Sequence, residues 1–149
     1  MSVERPVGGS IRKIGGVLEY SFEQQNEGQK PVCYIESIEA FIPGIGRKLV
    51  KELVDKLGPN YPISGLINEL STRQLFRDKG LFELILSQSV GTNVAIDHSI
   101  YRKSKIFRMC NRGGIDINSM EMIREPDSES RYFVDDIPVR VKFFGYTRF

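Results

Sequence analysis

Apolar and polar residues alternate from Val17 to Glu23, with Leu18, Tyr20 and Phe22 on one side and Glu19, Ser21 and Glu23 on the other. This period of two predicts a half-buried strand. The polar run from Gln24 to Lys30 predicts a hairpin loop closing near Gly28. The partner strand is expected from Pro31 to Phe41. Val32, Tyr34, Glu36 and Ile38 share one of its faces, and Cys33, Ile35 and Ser37 the other. Both faces are mostly apolar, which places the strand centrally in a sheet. At Gly46 the period changes. Leu49, Val50, Leu53, Val54 and Leu57 recur at helical spacing, while Lys48, Lys51, Glu52, Asp55 and Lys56 take the opposite side. An amphipathic helix from Gly46 to Leu57, stopped by Gly58 and Pro59, follows.

The apolar run from Pro62 to Ile67 fits a short buried strand. Ser71 and Gln74 have capping-box spacing. They predict a helix that carries Leu75 and Phe76 and stops at Gly80. The run from Leu81 to Leu86 fits a strand or a continued helix equally well. Residues 101–108 are basic with interleaved aromatics and read as an exposed helix with Ile100, Ile106 and Phe107 on its apolar side. Residues 124–131 read as a polar loop, and Val139 to Phe143 alternates as a closing strand. Residues 1–10 read as a loose leader, and Gly15-Gly16 as a turn. The 149 residues suit a single domain, in which residues 82–131 form an extension.

Composition narrows the function classes. Hydrophobic residues make up 40% and charged residues 27%, as in an ordinary globular domain. A net charge of +2 demands no nucleic-acid partner, though it leaves room for a local basic patch. No apolar run approaches the roughly 20 residues of a membrane span. The first residues hold no apolar signal core, so a cytoplasmic location is expected. Two cysteines and one histidine, without ligand spacing, predict neither a disulfide framework nor a metal site.

The stretch with most chemistry runs from Phe41 to Val54. It leaves a strand, turns on Gly44 and Gly46, and opens into the helix. Backbone N–H groups at a helix N-terminus bind phosphate, and glycines let a ligand approach the main chain. Arg47 and Lys48 add positive charge beside that turn.

From Val32 to Leu81 the chain resembles the GNAT superfamily of acyl-CoA-dependent N-acyltransferases. That family carries Gln/Arg-x-x-Gly-x-Gly/Ala at a strand-to-helix junction. Gly44, Ile45 and Gly46 match its glycine end, and Arg47 with the following apolar helix matches its continuation. Phe41 stands where the family has Gln or Arg. Downstream, Pro62 to Gly65, Asn68-Glu69 and the run from Leu75 to Leu81 resemble the next strand and helix of that fold. The resemblance implies an α/β (α+β) fold with a mixed, mostly antiparallel sheet flanked by helices. It implies acetyl-CoA, or a related acyl-CoA, as co-substrate. Ala40, Phe41, Gly44, Ile45, Gly46, Arg47 and Lys48 would bind it, and an amine of a protein or small molecule would accept the acyl group. It implies Glu36 as general base, with Glu39 a weaker competitor. Phe76 stands where the family often has a proton-donating Tyr, which leaves Tyr34, Tyr101 or water for that role.

Two other readings stay open. The run from Ile42 to Val50 also fits the hairpin of a helix-hairpin-helix DNA-binding module, which needs a helix over residues 32–41. A GNAT-like protein that binds acyl-CoA without turnover is the other. Asp97, His98 and Ser99 read as a chance grouping, because neighbouring residues of one element point in different directions.

Overall fold

β2 (Gly16–Glu23) and β3 (Val32–Ala40) pair antiparallel, as their alternation requires. The computed structural model describes residues 7–24, 28–128, 130 and 132–148. Residues 25–27 of the polar connection, and residues 1–6, lie outside that set. Ahead of β2, β1 (Gly9–Lys13) closes a tight hairpin through Gly15, whose φ of 90° suits a residue without a Cβ. Gly9 and Ser10 thus belong to a strand, not to a loose leader. Only Ile11 of the five β1 residues is buried, too little to reveal alternation in the sequence.

β3 is followed by α1 (Ile45–Leu57), β4 (Pro62–Leu66), α2 (Glu69–Leu75) and α3 (Lys79–Ser87). α1 buries Leu49, Val50, Leu53 and Val54 and ends where the Gly58 N–H donates to the Val54 carbonyl at 3.0 Å. The expected single helix from Ser71 to Gly80 is two helices. The Asn68 side chain accepts from the Ser71 N–H at 2.8 Å, so α2 starts before the Ser71–Gln74 box. The Asp78 carboxylate accepts from the Leu81 N–H at 3.2 Å and caps α3. Gly80 is therefore in the first turn of α3 and stops nothing. Leu81 and Ile85 are buried four residues apart, the spacing of one helical face, so the run from Leu81 to Leu86 is helical.

β5 (Asn93–Ala95), α4 (His98–Tyr101), α5 (Lys105–Gly113), β6 (Ile115–Arg124), β7 (Phe133–Val134) and β8 (Ile137–Thr147) complete the chain. β8 runs beyond the alternation seen at residues 139–143 and pairs with β4 on one edge and β6 on the other. The fold is mixed α/β: an eight-stranded sheet in the order β1-β2-β3-β4-β8-β6-β5, with β7 on β8, and five helices among the described residues. β3 and β4 run parallel, and the other strand pairs described are antiparallel. Within the expected extension, α5 and β6 join the same sheet and core.

A bulge in β3 decides what faces where. Glu19 pairs with Ser37 and Tyr20 with Ile35, so Glu36 is the extra residue. Ser37 joins Glu36 on one face, and Ile38, opposite Leu18, moves to the face of Cys33 and Ile35. Strict alternation placed Ser37 with Cys33 and Ile38 with Tyr34; one inserted residue reverses that parity. On the apolar face Leu18, Ile35, Ile63, Met120, Met122 and Phe143 are each at most 2% exposed. Burial of each such side chain contributes about 1.5–3 kcal/mol. The opposite face is more polar. There the Lys142 ammonium sits 5.7 Å from the ring centroids of both Tyr34 and Phe144.

Candidate functional site

The register of β3 against β4 covers Cys33, Tyr34 and Ile35 opposite Ile63, Ser64 and Gly65. β4 ends at Leu66, whereas β3 continues to Ala40. From Glu36 onward β3 therefore has no β4 partner, and the two parallel strands part. At the parting lies a cleft of about 610 Å³, with Glu36, Ser37 and Tyr34 from β3, Glu19 from β2, Leu66 from β4 and Tyr132 from the β6–β7 connection among its walls. Glu125, 5% exposed, closes one side and forms an ion pair with Arg140, whose Nε lies 2.7 Å from the Glu125 carboxylate. The bulge turns both Glu36 and Ser37 into this cleft.

Beyond Ala40 the chain makes its second feature. The Phe41 N–H donates to the Gly15 carbonyl at 2.7 Å, which anchors the end of β3 to the β1–β2 turn. Phe41 therefore offers its exposed ring to a ligand, but no free N–H. Successive N–H groups of a strand point in opposite directions, so the Ala40 N–H is directed to the β4 side, where β4 has ended. Gly44 caps α1 with φ 85° and no side-chain cap. The Ile45 N–H bonds to the Ile42 carbonyl at 3.2 Å and the Lys48 N–H to the Gly44 carbonyl at 3.4 Å. Between them, the N–H groups of Gly46 and Arg47 have no backbone acceptor, as helix geometry dictates for a first turn.

α5 lies across this loop. Lys105, Arg108, Met109 and Arg112 recur at i, i+3, i+4 and i+7, so one face of α5 meets Ala40, Phe41, Gly44, Gly46 and Arg47 around a cleft of about 720 Å³. The approach is close because glycines stand at the crossing. A Cβ at Gly46 would overlap the Met109 sulfur, and one at Gly113 would overlap Val50. Four cations thus surround a helix start with two free N–H groups, an arrangement that attracts phosphate. None of Lys105, Arg108 and Arg112 was among the expected site residues, although their helical spacing was visible in the sequence. It lacked the fact that α5 packs on α1.

Of the expected site residues, Ala40, Phe41, Gly44, Gly46 and Arg47 line the loop cleft. Ile45 is half-buried against Gly16, and Lys48 is exposed on α1; neither lines it. Glu36 lines the strand-parting cleft, about 13 Å from Ala40 at the ~3.3 Å rise of a strand. Glu39 pairs with Val17 and does not line that cleft. Tyr34 shares the cleft with Glu36. Tyr101 is buried elsewhere and donates its hydroxyl to the Asn118 carbonyl at 3.1 Å. Phe76 is 6% exposed at the end of α2 and lines neither cleft.

The Asp97–His98–Ser99 group is a helix cap. Asp97 accepts from the Ser99 N–H at 2.8 Å and the Ser99 hydroxyl at 2.7 Å, and these bonds hold its carboxyl below the usual range. The His98 ring stands edge-on to Tyr101 at 4.9 Å. Cys33 and Cys110 are free and buried, and burial pushes both thiols up to about 12. They stay protonated and unreactive at neutral pH. Among the described residues no cluster of His, Cys, Asp and Glu could hold a metal ion, and no helix is long and apolar enough to cross a membrane.

No protein-family model, curated protein or solved structure matches this chain.

Proposed function

We propose that this chain is an acyl-CoA-dependent N-acyltransferase of GNAT type that moves an acetyl or related acyl group to an amine. The observation that carries the reading is one strand with two features. β3 parts from its parallel neighbour at Glu36, and it runs directly into the cation-lined glycine loop at Gly44. An acyl-CoA has the same two-part chemistry: a pyrophosphate, and a thioester at the far end of a pantetheine arm. The Gly46 and Arg47 N–H groups, with Arg47, Arg108 and Arg112, hold the pyrophosphate. The arm follows the open edge of β3, with the Ala40 N–H as a donor along it. The thioester reaches the cleft of Glu36.

In that cleft Glu36 accepts a proton from the acceptor ammonium. The free amine attacks the thioester carbonyl; the C–N bond forms, the C–S bond breaks, the coenzyme A thiolate takes a proton from Tyr34 or water, and the proton then lost by the new amide nitrogen restores that donor. Holding both reactants in one cleft contributes much of the rate. The segment before the loop is a strand, so the helix that a helix-hairpin-helix module requires there is lacking. Two buried, unpaired thiols suit a reducing compartment, and we place the protein in the cytoplasm.

Calorimetry with acetyl-CoA and, in parallel, with a short DNA duplex tests the proposal. Micromolar binding of acetyl-CoA alone is expected. Binding of the duplex alone, with steep salt dependence, overturns it. Tight acetyl-CoA binding without turnover on any amine reassigns the fold to a non-catalytic acyl-CoA-binding role.

A further inference from the structure

A third cleft, of about 540 Å³, adjoins the glycine-loop cleft at the N-terminal end of α5. Its walls come from the α2–α3 junction and the α4–α5 junction. Arg77, Lys103, Lys105 and Arg108 line it, against a single carboxylate, Asp78, which caps α3 by accepting from the Leu81 N–H. None of the four cations forms an ion pair among the described residues, whereas the ion pairs found there, Lys13–Glu52, Arg140–Glu125 and Arg148–Asp116, lie elsewhere. Lys105 and Arg108, three residues apart on α5, line this cleft and the loop cleft together.

Like charges gathered in one concave cleft repel unless an anion joins them. A phosphate monoester suits the place. It carries close to two negative charges at neutral pH and offers three acceptor oxygens to guanidinium and ammonium donors. A diphosphate at the glycine loop needs only the loop cleft, which leaves Arg77 and Lys103 without a role there.

We propose that this cleft binds the 3′-phosphate of coenzyme A, so that Lys105 and Arg108 bridge it to the pyrophosphate at Gly44–Gly46. The inference rests on the acyl-CoA reading above and narrows it. The protein takes free acyl-CoA and discriminates against carriers that lack the third phosphate, such as dephospho-coenzyme A or a protein-bound phosphopantetheine.

The test is calorimetric titration of the full chain with acetyl-CoA and with acetyl-dephospho-CoA, repeated on Arg77→Ala/Lys103→Ala, two exposed positions that line the third cleft and not the loop cleft. The parent chain is expected to bind acetyl-CoA at least about tenfold more tightly than the dephospho form. In the double variant, acetyl-CoA affinity falls by about that factor and dephospho affinity stays the same. Equal affinities in the parent chain overturn the inference and leave the acyl-CoA reading standing. A preference that persists undiminished in the variant overturns it as well, by placing the third phosphate elsewhere. Binding of neither ligand overturns the acyl-CoA reading itself. Adenosine 3′,5′-bisphosphate and AMP serve as short probes. A preference for the bisphosphate that the double variant abolishes supports the assignment, and binding of a 5′-phosphorylated oligonucleotide in preference to both overturns it.

Discussion

Gly46 of α1 lies against the thioether of Met109 in α5, with no room for a side chain between them. The contact joins packing to chemistry. It lets α5 approach until Lys105, Arg108 and Arg112 stand over the loop, and it leaves the first-turn N–H groups of α1 uncovered on the cleft side. Gly46→Glu is therefore a poor probe of phosphate binding, because it also drives the two helices apart.

Packing at the crossing can be measured by itself. Gly46→Ala meets a flexible methionine and Gly113→Ala meets the branched Val50 side chain, with the Arg47 carbonyl at 3.1 Å from the new Cβ. Overpacking costs about 1–3 kcal/mol. Urea unfolding is expected to show a lowered midpoint for both, and the larger drop for Gly113→Ala. A Gly113→Ala protein as stable as the parent contradicts this helix contact.

Charge reversal separates binding from folding. Arg47 and Arg108 are exposed and without ion pairs among the described residues, so Arg47→Glu and Arg108→Glu should leave the melting temperature nearly unchanged. Acetyl-CoA affinity should fall at least about tenfold in each, a loss of about 1.4 kcal/mol. Calorimetry at two salt concentrations checks both the loss and its electrostatic origin, because the parent's affinity should weaken with salt more than the variants'.

Turnover tests the parting of β3 from β4. Glu36→Gln keeps the shape and removes the proton acceptor, so kcat at neutral pH should fall at least about a hundredfold. That is a barrier increase of about 2.7 kcal/mol, with acetyl-CoA affinity within a fewfold of the parent's. Near-normal kcat in this variant excludes Glu36 as the base.

The proton donor is tested one residue pair away. Tyr34→Phe should lower kcat because Tyr34 lines the same cleft as Glu36. Phe76→Tyr should bring no gain, because Phe76 is buried outside both clefts and a new hydroxyl there reaches no substrate. A faster Phe76→Tyr enzyme shows that the donor's place is at α2 instead.

The thiols predict an alkaline limit. Both folded-state values are raised to about 12 by burial, above the usual thiol range. The folded protein thus holds protons that the unfolded chain releases. This contribution to stability is complete below about pH 8.5 and declines as the pH rises towards 12. A thiol-specific reagent at pH 8 should label neither cysteine in the folded chain and both in urea. Labelling of the native protein contradicts their burial.

The sequence by itself determined the elements whose signal is local. Alternation from Val17 to Glu23, the helical spacing from Leu49 to Leu57, and glycines at 44 and 46 each act within a few residues, and β2, α1 and the loop cap formed where these placed them. Local signals failed where a competing cap was stronger, as at Asn68 and Asp78, or where an element was too short to show a period, as in β1. The tertiary structure decided the rest. The bulge at Glu36 exists because β3 must match β2 while keeping Leu18 and Ile38 on one face, a relation between strands that alternation within one strand does not encode. The parting of β3 from β4 depends on where β4 stops against its neighbours. The basic helix α5, more than sixty residues along the chain, reaches the glycine loop only because Gly46 and Gly113 admit it. Cleft-lining residues that lie on one segment were legible in advance; those brought together by packing were not, because the free energy that unites them comes from contacts between distant segments.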